Sequence, residues 1–336
     1  MIDYFKDLAK SIISRGNLRC YILNYSPPII VCYEYDFFKA KDQIIKTLPK
    51  DRMSYVLFML GWHRQTQQRI DDLVKDIRSF QAENDAVEYV CMANSADENR
   101  KIQNAGLKSF FCHQNAFIDT SKYKVVPDIK KSFDAIYVAR ITPFKRHELA
   151  RKIDSLKIVG GYSEREIEHY SKIRAMLPQA EYKESVPSSK IYKVMNEARC
   201  GLCLSKEEGA MFVSAEYLLC GLGIVNTANI GGRDELFSDE YVVNVEDDED
   251  AVAQGVQEIV RRDLSPHHIR EKTIEKMNAH REKLINFIQE KCDQAGTGYD
   301  YASHWEDVFT HKLGIRVTVP FFSRQRKRIL NKNTRL

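Results

Sequence analysis

The residues best suited to chemistry lie together in Gly201–Leu236, GLCLSKEEGAMFVSAEYLLCGLGIVNTANIGGRDEL. An apolar strand-like run (GLCL) enters a polar loop (SKEEGA), and the loop enters a helix that opens near Met211–Ser214. The first turn of a helix offers backbone N–H groups and the positive end of its dipole, which together attract an anion. Gly209 lets a ligand approach the backbone closely. Glu208 sits in the loop and Glu216 eight positions later in the helix, so the pair is expected to face one cleft at different depths. A carboxylate accepts hydrogen bonds from two hydroxyls at once, as a sugar offers. Two cations, Arg140 and Lys145, follow another apolar run, Ala135–Ala139, and His63 follows Tyr55–Leu60. Gly160-Gly161 closes a strand-like run and is placed to approach a ligand, although a simple turn serves equally well.

Other groupings favour plainer roles. Cys200 and Cys203 have the spacing of half a zinc site, but no second pair accompanies them, and alternation in a buried strand accounts for both thiols. No metal is expected. The acidic run Glu246–Asp250 reads as a solvated loop placed at a helix N-terminus. Two glutamates eight apart are a common accident, so Glu208 and Glu216 gain weight from the strand–loop–helix frame around them.

Those groups must be held by alternating elements. Residues 2–15 carry apolar side chains on one helical face and end at Gly16-Asn17. Strands are expected at Cys20–Leu23, Ile29–Tyr33, Tyr55–Leu60, Glu88–Met92 and Lys108–Cys112, with helices over Thr66–Ala82 and Ala96–Asn104. The polar, proline-containing stretch 121–134 reads as a linker. Alternation then restarts with strands Ala135–Ala139, Ser155–Val159, Gly201–Leu204 and Gly223–Asn226. Helices are expected at His147–Ile153, Glu164–Met176 and Phe212–Cys220, and Ser265-Pro266 starts a long final one. Such alternation builds mostly parallel sheets covered by helices. The expected architecture is therefore α/β, with two Rossmann-like doubly wound domains facing across a cleft: residues 1–130, 131–302, and a crossover helix with a basic tail at 303–336. Ligands in such sheets bind at the carboxyl ends of the strands.

The chain has 336 residues, of which 43% are apolar and 29% charged, enough for two ordinary cores and unlike a disordered or fibrous chain. Eight cysteines in apolar runs do not form a disulfide framework, and MIDYFKDLAK lacks the apolar stretch of a secretory signal, so a cytoplasmic location is expected. The formal charge is +4, but residues 316–336 hold seven basic residues and no acid, interleaved with Phe321, Phe322, Ile329 and Leu330. That pattern suits an anionic membrane surface better than nucleic acid.

The ordered set of motifs resembles family 4 of the retaining glycosyltransferases, which have the GT-B fold. Glu208 and Glu216 match its E-x7-E motif inside an S-x-x-E-G…E-x-x-x-C-G…G-G-x-x-E-L frame. Tyr137-Val138-Ala139-Arg140 followed by Lys145 is similar to its G-R-x4-K-G element, and Asn115–Asp119 to its N-G-V-D segment. The resemblance spans residues 88–245 well and the rest weakly. It implies that Arg140 and Lys145 neutralise the diphosphate of a nucleotide-sugar donor, that Glu216 holds the ribose, and that Glu208 binds the donor sugar. It further implies that the amides of Gly209, Ala210, Met211 and Phe212 hold phosphate and sugar hydroxyls, and that His63 contacts the sugar from the first domain. The implied reaction needs no metal or other cofactor and transfers the sugar, with retention, to a glycan or lipid-linked glycan acceptor. The departures are Ala139, Arg146 and Ala116 in place of glycines, and the absence of any glycine between Gly16 and Gly61, where the family carries a glycine-rich loop. That last departure keeps two other readings open: a catalytically inactive GT-B scaffold, and a GT-B phosphorylase or nucleotide-sugar epimerase.

Overall fold

The computed structural model describes residues 18–82, 84–317 and 328–329. The helix expected over residues 2–15, and most of the basic tail, lie outside the described residues. The chain forms two compact units, one from the described residues up to Phe117 and from His280 onward, the other Ile118–Ala279.

In the first unit, strands β1 (Leu18–Tyr25), β2 (Pro28–Tyr33), β3 (Ser54–Met59), β4 (Val87–Ala93), β5 (Lys108–Phe111) and β12 (Ile315–Val317) form one sheet in the order β12-β1-β2-β3-β4-β5. From β2 to β5 every pairing is parallel. β1 is antiparallel to both its neighbours, and toward β2 this follows from Tyr25–Pro28, which turns the chain straight back rather than through a helix. Alternation along the strands divides the core. Ile30, Val56, Phe58, Tyr89 and Cys91 face one side, where Ile70, Leu73, Ile77 and Phe80 of the helix Gln67–Gln81 cover them. Ile29, Val31, Leu57, Val90 and Met92 face the other, under Leu284, Ile288 and Trp305. The helix Glu34–Thr47, for which the sequence pattern gave no expectation, follows β2 without a loop and adds Phe37 and Ile44 to the first face.

In the second unit, β6 (Phe133–Val138), β7 (Leu156–Val159), β8 (Glu181–Lys183), β9 (Ala198–Cys203), β10 (Gly223–Thr227) and β11 (Val242–Val245) form an all-parallel sheet in the order β11-β10-β9-β6-β7-β8. Counted within the unit this is 3-2-1-4-5-6, a doubly wound sheet whose order reverses between β6 and β9. The crevice at such a reversal is where these sheets bind ligands, outside the carboxyl ends of the two strands. Tyr137, Ile158, Leu202 and Val225 pack one face against Ile173, Val252 and Val256.

The chain changes unit at Phe117–Ile118 and at Ala279–His280, whereas the sequence expectation divides it at 130 and 302. The polar stretch after Ile118 is bound into the second unit. Asn196 accepts from the Val126 amide and donates to the Lys124 carbonyl. Arg270 donates to the carbonyls of Thr120 and Tyr123. The long helix Pro266–Gln294 is one continuous element, and from His280 onward its residues belong to the first unit.

Candidate active site

The two segments singled out by the sequence leave the sheet from the two strands that flank the reversal. Ala139–Arg146 follows β6, and Leu204–Met211 follows β9. Buried tyrosines fix the first of them. Tyr137 donates its hydroxyl to the Lys145 carbonyl at 2.5 Å, and the Tyr217 oxygen accepts the Val138 amide at 2.6 Å. Burial pushes both phenols well above their ordinary pKa, so both remain neutral hydrogen-bonding groups.

Lys145 and Glu208 meet. The Lys145 ammonium donates to Glu208 Oε1, with both side chains largely buried, and Ser205 Oγ donates to the same oxygen at 2.6 Å. A buried carboxylate bound by an ammonium and a hydroxyl has partners that offset the cost of taking it out of water. The Glu208 loop is stitched along its length to the segment after β10. The Glu208 amide donates to Ile230 O, Ile230 N to Lys206 O, and Gly232 N to Gly209 O. Gly231 is required there: its φ is +139°, and a Cβ would stand 1.7 Å from the Glu208 carbonyl oxygen.

Two arginines that the sequence reading assigned no role brace this edge. Arg233 is fully buried and donates to the carbonyls of Ser205 and Thr227, each at 2.6 Å, and to Asp234. Arg146 stands where the resembled family has glycine and adopts the left-handed conformation glycine favours, with φ 53°. Its side chain reaches Leu204 O (2.6 Å), Thr227 Oγ1 (2.8 Å) and Asp247 (2.6 Å), tying together the carboxyl ends of β6, β9, β10 and β11. Charged side chains default to the surface in sequence reasoning, so neither could be placed in advance.

The other expected residues fall as follows. Arg140 is exposed, and its charge acts on Glu166 across the turn after β7. Glu216 is buried in the helix Phe212–Leu219 and hydrogen-bonds the Tyr123 hydroxyl, whose pKa is raised chiefly by burial and then by that carboxylate. Glu208 and Glu216 thus have separate partners. Ala210 and Met211 are buried, and Met211 turns the chain into the helix with φ 47°. Gly160 serves the backbone: a Cβ there would stand 1.8 Å from the Ala139 carbonyl oxygen, one residue before Arg140. His63, in the first unit, is buried, its Nε2 2.5 Å from the Arg69 guanidinium and its ring beside Trp62.

At the carboxyl edge of the first sheet stand two buried glutamates, Glu34 directly after β2 and Glu98 in the helix Ala96–Asn104 after β4. Glu34 accepts from the Gly61 amide and from Arg64 at 3.0 Å, and Glu98 from the amides of Arg64 and Asn94. Burial raises both pKa values, opposed by Arg64.

Cys200 and Cys203 are buried free thiols, with burial pushing the Cys203 pKa up to about 12, and both belong to the core. Among the described residues no group of three or more His, Cys, Asp or Glu is arranged to hold a metal. In the acidic run, Asp248 caps the helix Glu249–Arg262 by accepting from the Asp250 and Ala251 amides.

Solved structures share this architecture. The chain is similar to TarM, with a TM-score of 0.57 at 15% identity over 77% of this chain and 54% of that one. It is also similar to Anabaena HepE in complex with UDP, with a TM-score of 0.57 at 14% identity over 75% of this chain and 77% of that one. Sucrose-phosphate synthase from Thermosynechococcus elongatus gives 0.56 at 14% identity over 80% of this chain and 73% of that one. The fold is that of GT-B glycosyltransferases. At these identities the likeness is one of fold, and the chain spans about half the length of TarM, 54%. No family model and no curated protein matches the chain.

Proposed function

We propose that the chain is a metal-independent, retaining glycosyltransferase that moves a sugar from a nucleotide-sugar donor to a glycan or lipid-linked glycan, in surface-polysaccharide synthesis at a cytoplasmic membrane face. The observation that carries the reading is the Lys145–Glu208–Ser205 cluster on the two loops at the reversal of a 3-2-1-4-5-6 sheet. Complexes of S. aureus TarM with fondaparinux, α-GlcNAc-glycerol and UDP, and of Anabaena HepE with UDP and glucose, support the choice of substrate class.

In this reading the bond from the sugar carbon to the diphosphate oxygen breaks as the acceptor oxygen bonds that carbon. The acceptor proton passes to the departing phosphate. Retention requires entry and departure on one face. Negative charge grows on the leaving diphosphate, and Lys145 and Arg140 stabilise it as preorganised cations. Lys145 is shared between the diphosphate and Glu208, so the ammonium links leaving group to sugar site. The amides of residues 209–212 and Glu216 hold the remainder of the donor. Basic residues of the tail, Arg324, Arg326 and Lys327 among them, attach the enzyme to anionic lipid.

The test is a transfer and hydrolysis screen with UDP-, GDP-, ADP- and CMP-sugars, repeated with Glu208→Gln and Arg140→Ala. Loss of a preorganised electrostatic partner costs about a hundredfold or more in turnover. Unchanged transfer by both variants would remove these residues from the site.

A further inference from the structure

Four large apolar side chains are exposed among the described residues: Met53, Phe144, Ile167 and Ile230. Three of the four lie on the second unit: Phe144 and Ile230 in the segments that follow β6 and β10, and Ile167 at the start of the helix Ile167–Met176, which comes after β7. Phe144 is the aromatic one, 41% exposed, and it directly precedes Lys145. The Lys145 ammonium stands 5.0 Å from its ring centroid and also contacts Glu208. Ile230, 44% exposed, is on the segment whose backbone pairs with Glu208 and Lys206. A phenyl ring offers a phosphate no hydrogen-bond donors, but its open face can receive C–H groups. An exposed aromatic ring beside a buried ammonium–carboxylate pair matches a ligand that carries anionic oxygens at one end and a flat face of C–H groups at the other.

We propose that Phe144 is a stacking platform for the pyranose ring of the donor, a sugar subsite next to the diphosphate clamp that sets which sugars are accepted. The inference rests on the glycosyltransferase reading. The ammonium covers one part of the ring, and the sugar's C–H face lies on the exposed part. Its hydroxyls then remain at the ring's rim, within reach of the Glu208 loop. Equatorial hydroxyls leave an uninterrupted C–H face, while an axial hydroxyl on that face disrupts it, so the platform discriminates epimers.

Calorimetric titration of the full chain, as wild type, Phe144→Ala and Phe144→Trp, tests this with matched pairs: UDP and UDP-glucose, UDP-galactose or UDP-GlcNAc; GDP and GDP-mannose; ADP and ADP-glucose. Wild type is expected to bind one nucleotide sugar more tightly than its free diphosphate. Phe144→Ala should lose roughly tenfold in affinity for that nucleotide sugar, within the range of aromatic stacking contacts, and less than about twofold for the diphosphate. Phe144→Trp should keep the sugar increment. Equal loss for sugar nucleotide and diphosphate would show that the ring acts only by holding Lys145, and would overturn the proposal. So would no loss in Phe144→Ala, or no sugar increment in wild type. If wild type binds none of the diphosphates, the glycosyltransferase reading itself falls, a result distinct from the others.

Discussion

His147 carries a charge history of its own at the edge of the candidate site. It is fully buried against the ring of Tyr137, 4.5 Å between centroids, and burial pushes its pKa down to about 3, with His169 and Lys145 adding in the same direction. In the unfolded chain the group titrates near 6.5. As pH falls below 6.5 the unfolded chain therefore takes up a proton that the folded one refuses, and stability falls until the pH reaches the folded value. At pH 5 this one group costs about 2 kcal/mol relative to pH 7. Glu34 and Glu98 act in the opposite sense, because their raised pKa values give stability at low pH that is lost as pH rises through the folded values. They are in the first unit and unchanged by a substitution at 147. Urea unfolding of wild type and His147→Phe at pH 7 and pH 5 should show the pH-dependent loss shrinking by about 2 kcal/mol in the variant. An equal loss in both proteins would mean that His147 is not the group responsible.

At the scale of elements, what could be read in advance divides by mechanism. Strands with alternating apolar residues and helices with apolar stripes are local patterns, and Ala96–Asn104 and the start at Pro266 coincide with the expected bounds. Short edge strands such as Glu181–Lys183 are not local patterns, since exposed side chains leave no alternation and only pairing with β7 defines them. The helix Glu34–Thr47 is weakly marked in the sequence, because its start lacks a side-chain cap and Ala40 interrupts its helical geometry. In the site, Lys145 and Glu208 were recognisable from motif spacing, whereas Ser205, Arg146 and Arg233 take their roles from contacts across strands. Gly231 lies between these cases: G-G marks a turn in sequence, but its close approach to the Glu208 carbonyl is a tertiary fact. Gly231→Ala should lower stability by about 2–4 kcal/mol, because both its φ and its neighbouring carbonyl forbid a Cβ. Nucleoside-diphosphate stabilisation of the protein should be lost in parallel. Gly161→Ala, whose Cβ would stand at an ordinary 3.4 Å from the nearest atom, should cost less than about 1 kcal/mol. Thermal unfolding with and without UDP, GDP or ADP reads both effects, and a well-bound ligand in Gly231→Ala would refute the coupling.

At the scale of the whole chain, the modest net charge conceals a segregation. Seven of the 51 basic residues lie in residues 316–336 without an acid, leaving 44 basic and 47 acidic groups, or −3, on the remaining 315. A tail of that composition is attracted to anionic lipid. The described part of the tail nevertheless has a second commitment. Ile329, expected among the lipid-facing anchors, is fully buried in the core of the first unit, its carbonyl accepts from Arg52 at 2.7 Å, and the Arg328 guanidinium lies 4.3 Å from the ring centroid of Tyr25. Burying an isoleucine side chain is worth about 1.5–3 kcal/mol, comparable with two or three well-placed basic residues at a membrane surface. Ile329 and Arg328 are thus committed to the first unit, and the proposed lipid contact falls to the other basic residues of the tail. Ile329→Ser should destabilise the first unit by about 2–4 kcal/mol in urea unfolding while cosedimentation with phosphatidylserine vesicles persists. Replacing Arg324, Arg326 and Lys327 by serine should do the reverse, weakening cosedimentation by about three lysine-equivalents, or roughly a hundredfold, and sparing stability. If the triple variant binds vesicles as wild type does, the tail is a fastening of the first unit and not a membrane contact.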